Sequence, residues 1–333
     1  MKSCIALLTR GYQDIKSYDT LIKRNKHIAK NLNDKTIDNL IFHEGNISEE
    51  QQLYIKSQTP ELKMQFVDIS SIAFLPEKKH IVIEKVHSVG LSYRHMCSFW
   101  FVNFFDAVTN YDKLLRIDED CFIDSNIDSI FSLLDKSVFV CASFFKDHSW
   151  VTEGMNDFSL DFIKRHKDSF TFKKTDNKSP EGPYTNVFGL SLQQIRDNRI
   201  FQNYKEEIDK SNMIYKRRWG DLPLWGEVIY YIFGYDAVII DKNIRYLHGS
   251  HGIYTNSLII NNKYSWQNSS ITFLENGEMR AFGNGHYKET EKNIVDAVFG
   301  SRKHLLTFNE DYTEFISVRE GDNEIVKGKI LHS

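Results

Sequence analysis

The chain has 333 residues, 41% hydrophobic and 26% charged, a globular composition with material for roughly two cores. Its 42 Lys and Arg against 45 Asp and Glu leave a net charge of −3, so no long-range field draws it to nucleic acid or anionic membranes. The four cysteines (Cys4, Cys97, Cys121, Cys141) form no C-x-x-C pair, which argues against a disulfide framework or a zinc site and reads as reduced thiols.

Residues 4–9 read as a strand broken by Arg10-Gly11. Ile15, Tyr18, Leu21, Ile22, Ile28 and Leu32 then recur at helical spacing, with Lys23, Arg24 and Lys26 on the opposite face. Further strands are expected at 39–43 and 64–69. This alternation predicts an α/β fold with a largely parallel sheet, of the kind that binds nucleotides beyond the carboxyl ends of its strands. The most apolar helix candidate spans 92–108. A strand at 113–117 runs straight into Asp118-Glu119-Asp120, and another buried strand is expected at 137–142. Helices are expected at 158–170, 190–208 and 222–233. Beyond about residue 265, short β-rich runs alternate with turns such as Glu275-Asn276-Gly277, with one short helix at 289–298. The expected division is therefore 1–264 and a small, mostly β unit at 265–333. No apolar run approaches the ~20 residues of a membrane span. The opening run is too short for a signal peptide, so the expected location is cytoplasmic.

Chemistry concentrates in three places. With 45 acids in 333 residues, about six acid-x-acid triplets arise by chance, and Glu289-x-Glu291, Glu320-x-Asp322 and Asp322-x-Glu324 lie in polar stretches. Asp118-x-Asp120 differs because it ends an apolar strand, where two carboxylates repel each other unless a cation joins them. A divalent ion shared with substrate phosphates is the usual solution; strand-end capping or pairing with Arg116 is the alternative. In Arg217-Arg218-Trp219-Gly220-Asp221-x-Pro223, Asp221 either caps a helix with proline in its first turn or serves chemistry. In Tyr246-Leu247-His248-Gly249-Ser250-His251-Gly252, expected to follow a strand at 237–240, His248 or His251 can complete a carboxylate–carboxylate–imidazole set. That set suits manganese better than structural zinc.

Ser92-Tyr93-x-x-Met96-Cys97-x-Phe99, Arg116-Ile117-Asp118-x-Asp120 and Arg218-Trp219-Gly220-Asp221-x-Pro223 occur in this order, with a histidine after them. Together they resemble the fungal-type α-1,2-mannosyltransferases, glycosyltransferase family 15, over about residues 85–255. The resemblance implies a GT-A fold: a mostly parallel nucleotide-sugar-binding sheet flanked by helices. It also implies a GDP-mannose donor, Mn²⁺ or Mg²⁺, a glycan acceptor and retention of configuration. Carried across by motif, Asp118, Asp120 and His248 are the metal-ligand candidates, and Tyr93 would lie near the donor. Glu119 stands where the family has proline.

On this reading Thr9, Arg10, Arg94 and Asp118 serve the nucleotide, within a nucleotide half at 1–120. Tyr93 and Asp221 are the catalytic candidates, with Asp221 orienting the acceptor hydroxyl or taking its proton. Tyr184, Asn186 and Trp219 are the acceptor contacts, in an acceptor half at 121–264. Three other readings compete. A UDP-sugar enzyme would invert with Asp221 as base, a nucleotidyltransferase would release pyrophosphate, and a non-catalytic carbohydrate-binding protein would ignore nucleotide and metal.

Overall fold

The structure is a computed structural model that describes residues 1–84, 90–281 and 283–331. Residues 85–89, where the family resemblance begins, lie outside the described residues, as do residue 282 and the last two of the expected β unit. The chain divides into two compact units: Met1–Glu119 with Asn126–Lys242, and Asp120–Ser125 with Asn243–Ser333.

The first unit opens with β1 (Ser3–Leu8), α1 (Asp19–Asn31), β2 (Asp38–His43), α2 (Glu49–Ser57) and β3 (Lys63–Asp68). The run at 4–7 is fully buried, as expected of a central strand in a parallel sheet. Helix α1 buries Leu21, Ile22 and Ile28, and α2 starts at a capping box between Ser48 and Gln51. After α3 (Leu91–Ser98) come a π-helical turn at Phe99–Asn103 and α4 (Phe104–Ala107). The expected single helix is thus split. A π turn redirects successive side chains, and here Phe99, Trp100 and Phe101 are all buried.

The chain continues through β4 (Lys113–Ile117), β5 (Cys121–Ile123), α5 (Ile127–Leu133), β6 (Phe139–Cys141), β7 (Phe144–Phe145), α6 (Met155–His166) and β8 (Gly182–Pro183). Then follow β9 (Val187–Ser191), α7 (Leu192–Asp197), α8 (Arg199–Ser211), α9 (Met213–Arg217), α10 (Asp221–Val228) and β10 (Val238–Ile240). The stretch expected to be helical from 190 begins as a strand, because β9 is needed between two others. The main sheet has the order β10-β6-β9-β4-β1-β2-β3. Only β9 runs against its neighbours, β4 and β6; every other pairing is parallel. Beneath the sheet lies an aromatic core in which Phe201 stacks on Trp225 at 5.5 Å.

In the second unit β5 pairs antiparallel with β11 (Tyr246–His248), which pairs with β12 (Ile253–Thr255). His248 therefore ends a short strand of its own, β11, after β10. An eight-stranded meander follows: β13 (Lys263–Trp266), β14 (Ser269–Phe273), β15 (Glu278–Arg280), β16 (Asn284–Glu291), β17 (Ile294–Phe299), β18 (Arg302–Phe308), β19 (Glu314–Arg319) and β20 (Ile325–Lys329). It curls until its edges meet, at a Tyr264–Ile330 bridge and a 2.7 Å bond from the Leu331 amide to the Lys263 carbonyl. Alternate residues point inward, among them Tyr264, Phe273, Tyr287, Phe308 and Phe315.

The helix expected at 289–298 does not form. Its residues alternate buried and exposed and turn at Asn293, whose φ of 67° suits a hairpin, so they pair as β16 and β17. Contacts divide the chain after Lys242, earlier than the composition change near 265, because β11 and β12 belong with the second unit. No helix among the described residues is long and apolar enough to cross a membrane.

Candidate functional site

In the first unit, β4 ends at the polar group its sequence announces. The buried Arg116 guanidinium donates from Nε and Nη2 to the two oxygens of Asp118 at 2.7 and 3.0 Å, and from Nη1 to Asp221 at 2.6 Å. Its Cζ lies 4.4 Å from the Trp100 ring centre. Burial alone would lower its pKa, but the two carboxylates outweigh that and hold it above its ordinary value. Asp118 is further fixed by its amide, which donates to the Asn186 carbonyl at 2.8 Å, and by the Asn186 side chain at 3.4 Å. The ion-pair alternative for Asp118 is therefore realised in this structure.

Glu119 accepts hydrogen bonds from Thr9 Oγ1 at 2.6 Å and Tyr12 OH at 3.3 Å. Burial raises its carboxyl above the ordinary range against the pull of both donors. Arg10 is exposed, 5.6 Å from the Tyr12 ring centre.

Asp221 occupies the first turn of α10 and is buried in its ion pair with Arg116. Tyr93 is half-buried; the neighbouring Cys97, burial and the Asp221 carboxylate together push its phenol up. Arg218 stacks between Tyr93 and Trp150, 4.9 and 4.6 Å from their ring centres. Tyr184 and Asn186 are half-buried and keep some access to solvent. Two expected ligand contacts are core residues instead. Arg94 is buried with its guanidinium on the Tyr215 carbonyl at 2.7 Å. Trp219 is 2% exposed, its indole N–H on the Glu153 carbonyl, which leaves no face for a sugar.

The second unit holds the carboxylate–imidazole pair. His248 Nε2 lies 3.3 Å from Asp120 Oδ2 and 3.0 Å from Ser250 Oγ. The Gly249 amide donates to the Asp120 carbonyl at 2.8 Å, tying the turn after β11 to the residue before β5. Burial works to raise the Asp120 carboxyl, but the His248 and Ser250 side chains hold it below its ordinary value. The His251 ring is 4.3 Å from that of His248, and burial, then the neighbouring imidazole, lowers its pKa. Asp120, Cys121 and His248 place one ligand atom each within 4.8 Å of one another, a donor set able to take a divalent cation.

Among solved structures the chain is similar to the mannosyltransferase Ktr4p from S. cerevisiae, with 16% identity over 74% of this chain and 70% of that one and a TM-score of 0.61. It is also similar to core-mannan synthase A from Aspergillus fumigatus in an Mn/GDP form, with 14% identity, 78% and 77% coverage and a TM-score of 0.63. The fold is that of these mannosyltransferases. A GDP complex of the yeast mannosyltransferase gives 16% identity, 74% and 71% coverage and a TM-score of 0.59. No protein-family model matches the sequence, and no curated protein does.

Within this mannosyltransferase fold, sequence reasoning missed the grip of Thr9 and Tyr12 on Glu119, the stacked Arg218 and the placement of Cys121. The first two have no local signal, since each joins residues far apart in the chain. For Cys121 the signal was its position directly after Asp120.

Proposed function

We propose that this chain is a metal-dependent glycosyltransferase that moves a hexose, mannose from GDP-mannose, to a glycan hydroxyl with retention of configuration. The observation that carries the reading is the Asp120–His248 pair in a chain with the fold of an enzyme solved with manganese and GDP. Asp120 and His248 would hold the divalent cation. When bound, such an ion neutralises charge that develops on a leaving diphosphate.

The chain's own residues supply the rest. Asp118 is held ready for the donor ribose by the two-pronged grip of Arg116, which fixes its rotamer. Thr9 and Arg10, at the end of β1, serve the nucleotide, and Glu119 anchors Thr9. Tyr93 stays protonated and lies toward the donor as a hydrogen-bond donor. Asp221, bound to Arg116, sets the position of the α10 start and orients the acceptor; service as a general base would require its release from that ion pair. Tyr184 and Asn186 are the acceptor contacts.

The test is thermal stabilisation of the protein by GDP, UDP, CMP and dTDP, each with and without Mn²⁺. A ligand at ~100 times its Kd adds about 2.7 kcal/mol. Stabilisation by GDP that needs metal is the expected result. Preference for UDP overturns the mannose assignment and keeps glycosyl transfer. No metal-dependent shift with any nucleotide overturns the reading.

A further inference from the structure

We infer that Cys121 is a third protein ligand of the divalent cation, making the site a carboxylate–imidazole–thiolate set. The inference rests on the proposal that Asp120 and His248 hold that cation, and it adds to it the chemical character of the metal. Three observations lead there. The antiparallel register sets Cys121 directly opposite His248, and residues directly opposite in such a pair send their side chains to the same face. Asp120 lies in the turn just before β5, outside the strict alternation of the strand, and its Oδ1 is 4.0 Å from the Cys121 sulfur. All three ligand atoms fall within 4.8 Å of one another, the spread that one cation can gather with small side-chain adjustments.

The remaining cysteines make the contrast. Cys4, Cys97 and Cys141 pack in the apolar core of the first unit; Cys97 has Tyr93 and the Asp221 carboxylate nearby, but among the described residues none of the three joins a cluster of three potential metal ligands. Cys121 is just as buried, yet a carboxylate and an imidazole stand beside it. Cys121 would bind as the thiolate: the metal–sulfur bond forms and the thiol proton passes to solvent. The consequence is selectivity. Manganese and magnesium favour oxygen donors, whereas a thiolate favours zinc and cobalt, so this donor set steepens the affinity order toward the softer ions.

Cobalt(II) titration of the full chain, read by absorption, tests the inference directly, with Zn²⁺ and Mn²⁺ affinities measured alongside. The expected wild-type spectrum has cobalt d–d bands together with a near-ultraviolet thiolate-to-cobalt band, and Cys121→Ala loses the latter. Cys121→Ser, which keeps the size of the side chain, should lower the ratio of Zn²⁺ to Mn²⁺ affinity by about tenfold or more. A ratio is insensitive to general loosening of the site, so a poorly packed variant does not mimic the effect. Cobalt bound with d–d bands and an unchanged near-ultraviolet spectrum in Cys121→Ala overturns the role of Cys121 alone. Cobalt bound equally well by wild type and by Asp120→Ala overturns the underlying metal site and this inference with it.

Discussion

Arg116→Met removes a guanidinium that two carboxylates share. The side chains of Arg116 and Asp221 are 5% and 6% exposed, so Asp221 would be left charged and desolvated. Breaking one side of such a buried pair costs about 3–5 kcal/mol. Asp118 is 23% exposed and keeps its Asn186 contacts, so its loss is screened and adds under about 1 kcal/mol. The guanidinium also leaves the Trp100 face, a further ~1 kcal/mol partly returned by methionine packing. The expected deficit is about 4 kcal/mol, a large share of the ~5–15 kcal/mol available to a typical domain. Urea unfolding followed by tryptophan fluorescence measures it, since Trp100, Trp150, Trp219 and Trp225 all lie in the first unit. Adding Asp221→Asn to Arg116→Met removes the orphaned charge and should recover about half the loss. A single-variant deficit below about 1 kcal/mol, or a double variant less stable than the single, would refute the shared ion pair as a determinant of stability.

In the barrel of the second unit, burial pushes the Glu289 carboxyl up to about 7 from an ordinary 4.5. The folded state then holds this proton more tightly than the unfolded one, so the stabilisation is complete below about pH 4.5 and is lost as pH rises through 7, about 3 kcal/mol in all. Glu289→Gln should flatten that slope in unfolding followed at Trp266, and a slope as steep as wild type would contradict the assignment. Asp120→Ala should abolish metal-dependent transfer with circular dichroism unchanged, and full activity would remove it from the metal site. His248→Ala should weaken Mn²⁺ binding by more than the ~10–100-fold typical of outer-shell changes, whereas an unchanged titration would move the role to His251. Gly328→Ala places a Cβ 2.2 Å from Phe315 ring carbons and should cost the barrel about 1–3 kcal/mol by overpacking, measured as a lowered Tm.

The parallel-sheet frame was legible because apolar runs bounded by polar breaks recur at regular intervals, and β1, β2, β3 and β4 fall on them. Asp120 could be picked out because the Asp118-x-Asp120 pair follows an apolar strand, and His248 through the family resemblance, since the residues alone left His248 and His251 open; the structure sets Asp120 and His248 together. What escaped were properties of three-dimensional neighbours. Arg94 and Trp219 carry ligand-like side chains, and only the fold reveals the Tyr215 and Glu153 carbonyls that claim them. The π turns at Phe99–Asn103 and Ile229–Phe233 leave a periodicity that still reads as helical, so the breaks after Ser98 and Val228 were invisible. At 289–298 the apolar residues are too few to separate a period of two from one of 3.6, and the hairpin is decided by Asn293 and by pairing with β18. The register of β5 against β11, which places Cys121, joins strands too short to be recognised from sequence.

That register also bears on when the site comes into being. Ser125 and Arg245, which bond just beyond the paired strands, are 120 residues apart in the chain. Closing such a loop costs about 2 kcal/mol more entropy than closing a ten-residue one, and three-residue strands return little on their own. Loop entropy therefore favours this pairing after the intervening chain has folded rather than before it. A nascent polypeptide extended only to Lys242 carries Asp120 and Cys121 without His248, so during synthesis the proposed metal site stays incomplete until the chain beyond Lys242 has emerged.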